Sequence, residues 1–163
     1  MKKIIIIAIV CIGAVFTGNA QKLGHIDSQS LLLSMPERAT IETELQQYAS
    51  VLEEHLNTMK ADYEGKVLEI QSNPNLPEAI YNDKVKKLQE LEQSMQEFQQ
   101  TANQDLAKKE SELLQPMIDA AQEAITAVAK EQGFTYILDS STGVTLYNGG
   151  EDIIELVKAK LGL

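Results

Sequence analysis

Few residues in this sequence are of types that do chemistry at useful spacing. The two histidines, His25 and His55, are far apart, and neither has a nearby nucleophile or a partner at metal-ligand spacing. Each reads as a satisfied or solvated histidine. Gly13 and Gly18 have the spacing of a phosphate-binding loop, but Asn19 stands where that loop needs lysine to reach the phosphates. Carboxylates are plentiful and scattered, a pattern that gives solubility rather than an acid–base pair. Lys84, Lys86 and Lys87 form a compact basic cluster. It could meet acidic chain segments or a membrane surface, although a solvated helix face is the plainer reading. No catalytic residue, cofactor or metal is therefore expected.

The elements that must position these residues are dominated by two long helices. The first carries Leu45, Tyr48, Leu52, Leu56, Met59, Tyr63, Val67 and Ile70 at steps of three or four. The second repeats the pattern with Tyr81, Val85, Leu88, Leu91, Met95, Phe98, Ala102, Leu106 and Leu113. Between them lies Asn73, Pro74, Asn75, Leu76, Pro77, whose two prolines disfavour continued helix. Reversal near position 75 makes facing residues sum to about 150, which pairs Ile70 with Tyr81, Leu52 with Phe98 and Leu45 with Leu106. The expected hairpin is an antiparallel coiled coil over residues 37–113 with its tip at 73–77. Pro36 and Glu37 make a good helix opening, and Pro116 predicts a kink or break in the return helix.

Residues 21–36 and 114–163 form the expected base. The alternating run Gln21–Asp27 reads as a weak strand, followed by a short helix that Ser28 or Ser30 can cap. Met117 to Gln132 is amphipathic and Gly133 is a natural stop. Phe134–Asp139 and Val144–Tyr147 read as two strands of a hairpin across the turn Ser140–Gly143, with a final helix over Glu151–Leu161. Three short strands with open edges rarely stand alone, so pairing between chains is expected. The fold class is α+β, mainly α.

Residues 1–20 have the parts of a secretory signal: Lys2 and Lys3, the apolar run Ile4–Phe16, and the small residues Gly18 and Ala20, with the mature chain starting at Gln21. Cys11, the only cysteine, would leave with it, so the mature chain has no disulfide or thiolate site. Losing Lys2 and Lys3 changes the balance from 14 − 24 to 12 − 24, a net charge of −12, which argues against nucleic acid as a partner.

Taken in order, Leu23–Gln29, Ser34–Glu37, Leu114–Ile118, Gly133–Asp139 and the pair Leu146 and Tyr147 resemble the Skp/OmpH family of periplasmic chaperones over essentially all of the mature chain. The resemblance implies a homotrimer whose strands build a small central trimerisation base, with three helical tentacles around a cavity. It implies ATP-independent holding of unfolded outer-membrane β-barrel proteins in the periplasm before membrane insertion. Base residues expected to carry oligomerisation are Leu23, Ile26, Phe134, Tyr136, Leu138 and Leu146. Candidate client contacts off the hairpin seam are Val51, Leu68, Leu76 and Ile80, with Lys84, Lys86 and Lys87. The chain departs from the best-known members in being acidic, which weighs against binding to anionic membrane or lipopolysaccharide head groups. The alternative is a coiled-coil adaptor or spacer docking on one fixed envelope partner.

Overall fold

The computed structural model describes residues 21–163, so the expected signal at 1–20 lies outside the described residues. The elements in order are β1 (Leu23–Ile26), α1 (Ser28–Ser34), α2 (Glu37–Gln71), α3 (Glu78–Gln132), β2 (Tyr136–Asp139), β3 (Glu151–Asp152) and α4 (Ile154–Leu161). They divide into two compact units. One contains the described residues through Gln29 with Ala124–Gly162, and the other contains Ser30–Glu123. The mainly helical α+β class is as expected.

In the first unit the strands lie in the order β2-β1-β3, and both neighbours run parallel to β1. Leu23 pairs with Tyr136, Gly24 with Ile137, His25 with Leu138 and Ile26 with Asp139. Alternation gives the sheet two unlike faces. Ile26 is buried, in a core with Ala124, Val128, Ile153 and Val157, whereas Leu23, Tyr136 and Leu138 are exposed. Gly133, at φ 71°, ends α3 in the left-handed region that a Cβ disfavours.

The strand expected at Val144–Tyr147 does not form, and the third strand is Glu151–Asp152, at the expected start of the last helix. Parallel pairing explains the difference. A chain leaving the end of β2 must travel back along the sheet before it can run parallel again, so residues 140–150 are a return path rather than half of a hairpin. Gly150 permits the re-entry: a Cβ there would lie 2.7 Å from the Leu23 carbonyl oxygen.

Ser28, expected as a cap, instead bonds across the unit. Its hydroxyl donates to Asp139 Oδ2 at 2.6 Å and its amide to Oδ1 at 3.3 Å, while the Ser141 amide and hydroxyl donate to Oδ1 at 2.9 and 2.7 Å. Burial pushes the Asp139 carboxyl up, but these donors together outweigh it and hold the group below its ordinary value.

In the second unit α2 and α3 pair antiparallel. The half-buried positions, among them Leu45, Leu52, Leu56, Tyr63, Leu88, Met95, Phe98 and Leu106, are the expected stripe. The register differs. Glu69 meets Lys84, Glu44 meets Lys109 and the His55 ring lies tilted against Phe98, and each pair sums to 153 rather than about 150. The turn is asymmetric: Glu69 is two residues from the end of α2, but Lys84 is six from the start of α3. The opening turn of α3 therefore extends roughly 6 Å past the end of α2, at about 1.5 Å per residue. Tyr81, expected opposite Ile70, is 47% exposed as a result.

The helix is also unbroken at Pro116. Pro116 and Glu112 are both exposed, so the carbonyl that loses its amide partner can be solvated, while buried Met117 and Ala121 hold the next turn in place.

Two outcomes follow from this packing. Asp139→Ala should lower the stability of the sheet unit at neutral pH by about 1 kcal/mol, because four part-buried donor contacts from Ser28 and Ser141 lose their acceptor. A depressed carboxyl contributes stability above its unfolded value and loses it as pH falls through the folded one, so in denaturant titrations the gap to the parent should close progressively below about pH 4. Gly65 sits inside α2, where an added Cβ meets nothing within 4 Å. Gly65→Ala should stabilise the hairpin by about 0.5–1 kcal/mol, read as a later helical melting transition.

Candidate functional site

Two surfaces are left open. The first is on the hairpin. Val51 is 64% exposed, Leu68 60% and Ile80 46%, while Leu76 at the turn is half-buried. Helical geometry puts them here, since a stripe facing the partner helix leaves positions round the cylinder to solvent. Ile80, Lys84 and Lys87 are brought together with Lys66, Glu69 and Asp83 around a hollow of about 150 Å³. Val51 lies apart, well down the helix from the turn.

Charge at the turn end is largely neutralised within the hairpin. Lys84 donates to Glu69 at 2.8 Å, Lys87 pairs with Asp83 at 2.7 Å, Lys66 with Asp62, and Lys86 with Glu90 at 3.7 Å. The hydrogen bond from Lys84, then its charge, holds the Glu69 carboxyl low. The bond from Lys87 does the same for Asp83 against a smaller opposing effect of burial, and Asp83 in turn raises Lys87. The three lysines read from the sequence as a basic cluster are thus engaged with carboxylates. The sequence reading missed these partners, although Asp83–Lys87 and Lys86–Glu90 have the i,i+4 spacing that would have shown them.

Further from the turn, His55 lies against Phe98 with ring centroids 4.7 Å apart. A hollow of about 180 Å³ beside them is floored by Leu52, Leu56, Phe98 and Leu106, with Glu53 among its lining.

The second surface is the outer face of the sheet. Leu23, Tyr136 and Leu138 lie on it, and Tyr147, Asn148 and Gly149 join Leu23, His25 and Leu138 around a hollow of about 450 Å³. On the return path Val144 is 82%, Leu146 100% and Tyr147 87% exposed. His25 Nδ1 and Thr145 Oγ1 are buried without a hydrogen-bond partner among the described residues. Of the residues read as oligomerisation candidates, Leu23, Tyr136, Leu138 and Leu146 are on open surface. Ile26 faces its own core, and Phe134 is half-buried under the Lys22 ammonium, 3.9 Å from the ring centroid. The Asp139 cluster also escaped the sequence reading. Its signal was Asp139 and Ser141 two apart, the spacing of an Asx turn.

Among the described residues no group of three His, Cys, Asp or Glu side chains could hold a metal ion, and no helix is long and apolar enough to cross a membrane. Comparison with known proteins places the chain. A chaperone protein Skp from Vibrio cholerae is 25% identical over 146 residues, 85% of either chain, and the one from Pectobacterium atrosepticum is 22% identical over 145 residues, 85% of this chain and 87% of that one. A solved OmpH-like structure from Caulobacter crescentus superposes with a TM-score of 0.72 at 16% identity, covering 86% of this chain and 83% of the other, a likeness of fold. The profile of the outer membrane protein (OmpH-like) family matches residues 22–161, so with a strand-and-helix base sequence interrupted by one long helical hairpin, the chain belongs to that family.

Proposed function

We propose that this protein is a non-enzymatic, ATP-independent holding chaperone of the periplasm that keeps unfolded outer-membrane proteins from aggregating before insertion. The observation that carries the reading is the hairpin itself: a self-paired arm whose seam is satisfied internally and whose outer surface keeps Val51, Leu68 and Ile80 exposed. Such positions suit many brief contacts. Each is worth a fraction of the roughly 1.5–3 kcal/mol available for burying a large apolar side chain, so release needs no fuel once the client folds more favourably elsewhere. Family relatives named as chaperones support the same reading.

Holding requires several arms around one client, and the sheet supplies the reason to assemble. A parallel sheet is normally covered on both faces, whereas this one leaves Leu23, Tyr136 and Leu138 open. Leu146 and Tyr147 add apolar area beside it, and unpaired His25 Nδ1 and Thr145 Oγ1 would gain partners from a second copy. On this reading residues 21–36 and 114–163 assemble the oligomer and 37–113 meet clients. Three copies is the number the family resemblance implies. Linked arms then raise the effective concentration of each further contact.

Diluting a denatured outer-membrane β-barrel protein into buffer should give less light scattering with the protein than without it, in the absence of nucleotide. Replacing Val51, Leu68, Leu76 and Ile80 together by Ser should weaken client binding about tenfold, about 1.4 kcal/mol, with the helical signal retained. Unchanged aggregation for several clients by a folded oligomer would instead mark an adaptor. Leu138→Asp with Leu146→Asp should reduce the mass measured by light scattering to that of one chain, since paired carboxylates cannot be buried on an apolar interface.

A further inference from the structure

Charge divides the hairpin along its length. In the half farther from the turn, residues 37–58 and the facing 95–116, the cations are Arg38, Lys108 and Lys109, and they are already paired with Glu42, Glu112 and Glu44. Glu37, Glu53, Glu54, Glu97, Asp105 and Glu110 make no ion pair among the described residues. The half next to the turn is closer to balance: Lys66, Lys84, Lys86 and Lys87 each meet a carboxylate there, and of the remaining charges Glu64, Glu78 and Glu92 stand against an ion-pair-free Lys60 among the described residues. The uncompensated negative charge is therefore concentrated away from the turn.

It coincides with apolar surface. Leu52, Leu56, Phe98 and Leu106 floor the mid-arm hollow, Glu53 lines it, and no lysine or arginine does. On the other side of the helix Val51, 64% exposed, has Glu54 three residues on. Any chain segment that covers this apolar surface also takes water from the adjacent carboxylates. An apolar or acidic segment leaves them without compensation, whereas a segment carrying lysine or arginine beside its apolar residues satisfies both demands. The hairpin has no free cation of its own in this half to do so.

We infer that this half of the arm selects unfolded segments in which lysine or arginine accompanies large apolar side chains, over acidic segments of equal hydrophobicity. The inference rests on the holding function proposed above. The occupant is a cationic stretch of unfolded protein, with its apolar side chains on Leu52, Leu56 and Phe98 and a cation at Glu53. Such a preference acts through charges at the surface and is therefore dependent on salt.

The test uses two fluorescent unstructured peptides of about 20 residues with identical Leu, Phe, Gly and Ser content, one charged with Lys and the other with Glu, titrated with the purified protein at about 50 mM and about 500 mM salt. The Lys peptide should bind at least about tenfold more tightly at low salt, and the ratio should fall below about threefold at high salt. Glu53→Gln should reduce the low-salt ratio severalfold while the circular dichroism spectrum stays unchanged. Equal binding of the two peptides, or tighter binding of the Glu peptide, overturns the selectivity. A preference that survives this substitution overturns its placement at this groove. Light scattering with a denatured β-barrel client runs alongside: suppression without peptide selectivity removes only this inference, and a protein that neither suppresses aggregation nor binds either peptide removes the holding function as well.

Discussion

The parallel pairing of Leu23–Ile26 with Tyr136–Asp139 is the constraint from which most of the structure follows. Adjacent parallel strands cannot be joined by a tight turn, because the chain must be carried back to the starting end of the sheet before it can run in the same direction. Ordinary folds use a single helix for this. Here α1, α2 and α3 occupy the whole interval between β1 and β2. The hairpin is thus a crossover connection grown long, and its two ends are returned to neighbouring strands whatever its length. That arrangement lets the arm be polar and extended without itself having to supply a core for the fold. The same constraint sends residues 140–150 back along the sheet and gives Val144–Tyr147 its exposure.

Within the arm, stability and openness oppose each other. The seam is one side chain wide, and its residues are mostly half-buried, so burial contributes less per residue than in a closed core. Ion pairs within and between the helices add little singly at exposed sites, at most about 1 kcal/mol each. Their placement matters more than their sum. The cross-helix pairs Glu69–Lys84 and Glu44–Lys109 share the register of His55 on Phe98, so charge and apolar packing specify the same alignment and discourage a slip of one turn.

The sequence made the large elements legible because their signals are repeated. Eight or nine apolar residues at helical spacing in each arm, a doubly proline-marked turn and a glycine stop at Gly133 all point one way. Register was legible only to within a turn. The apolar stripes are periodic, so a shift of three residues still sets apolar against apolar, and nothing local reveals that the opening turn of α3 overshoots the end of α2. The sheet was harder for a different reason. Val144–Tyr147 has the composition of a strand, but whether it pairs depends on the direction in which β2 is already used, which is a property of topology. Glu151–Asp152 has no strand composition at all and pairs because Gly150 lets its backbone approach Leu23. Among the candidate contacts, Val51, Leu68 and Ile80 could be placed off the seam by counting 100° per residue. The lysines could not be judged from composition, since their meaning changed once Glu69, Asp83 and Glu90 were found beside them.

These partners alter what the arm can offer a chain that touches it. Near the turn most of the lysines are already in ion pairs, and a client that engages one exchanges one pair for another, which is close to neutral in water. Apolar contact through Ile80 and Leu68 is what remains there, undirected and tolerant of sequence. Farther from the turn six carboxylates make no ion pair among the described residues, and on the inference above contact there is discriminating. On the proposed reading a single arm thereby combines a permissive end with a selective one, and neither end binds strongly enough alone to trap what it holds. Affinity would come from the number of arms and release from the competing stability of the folded client, which leaves the sheet, by setting how many arms act together, as the element that fixes how tightly the protein holds.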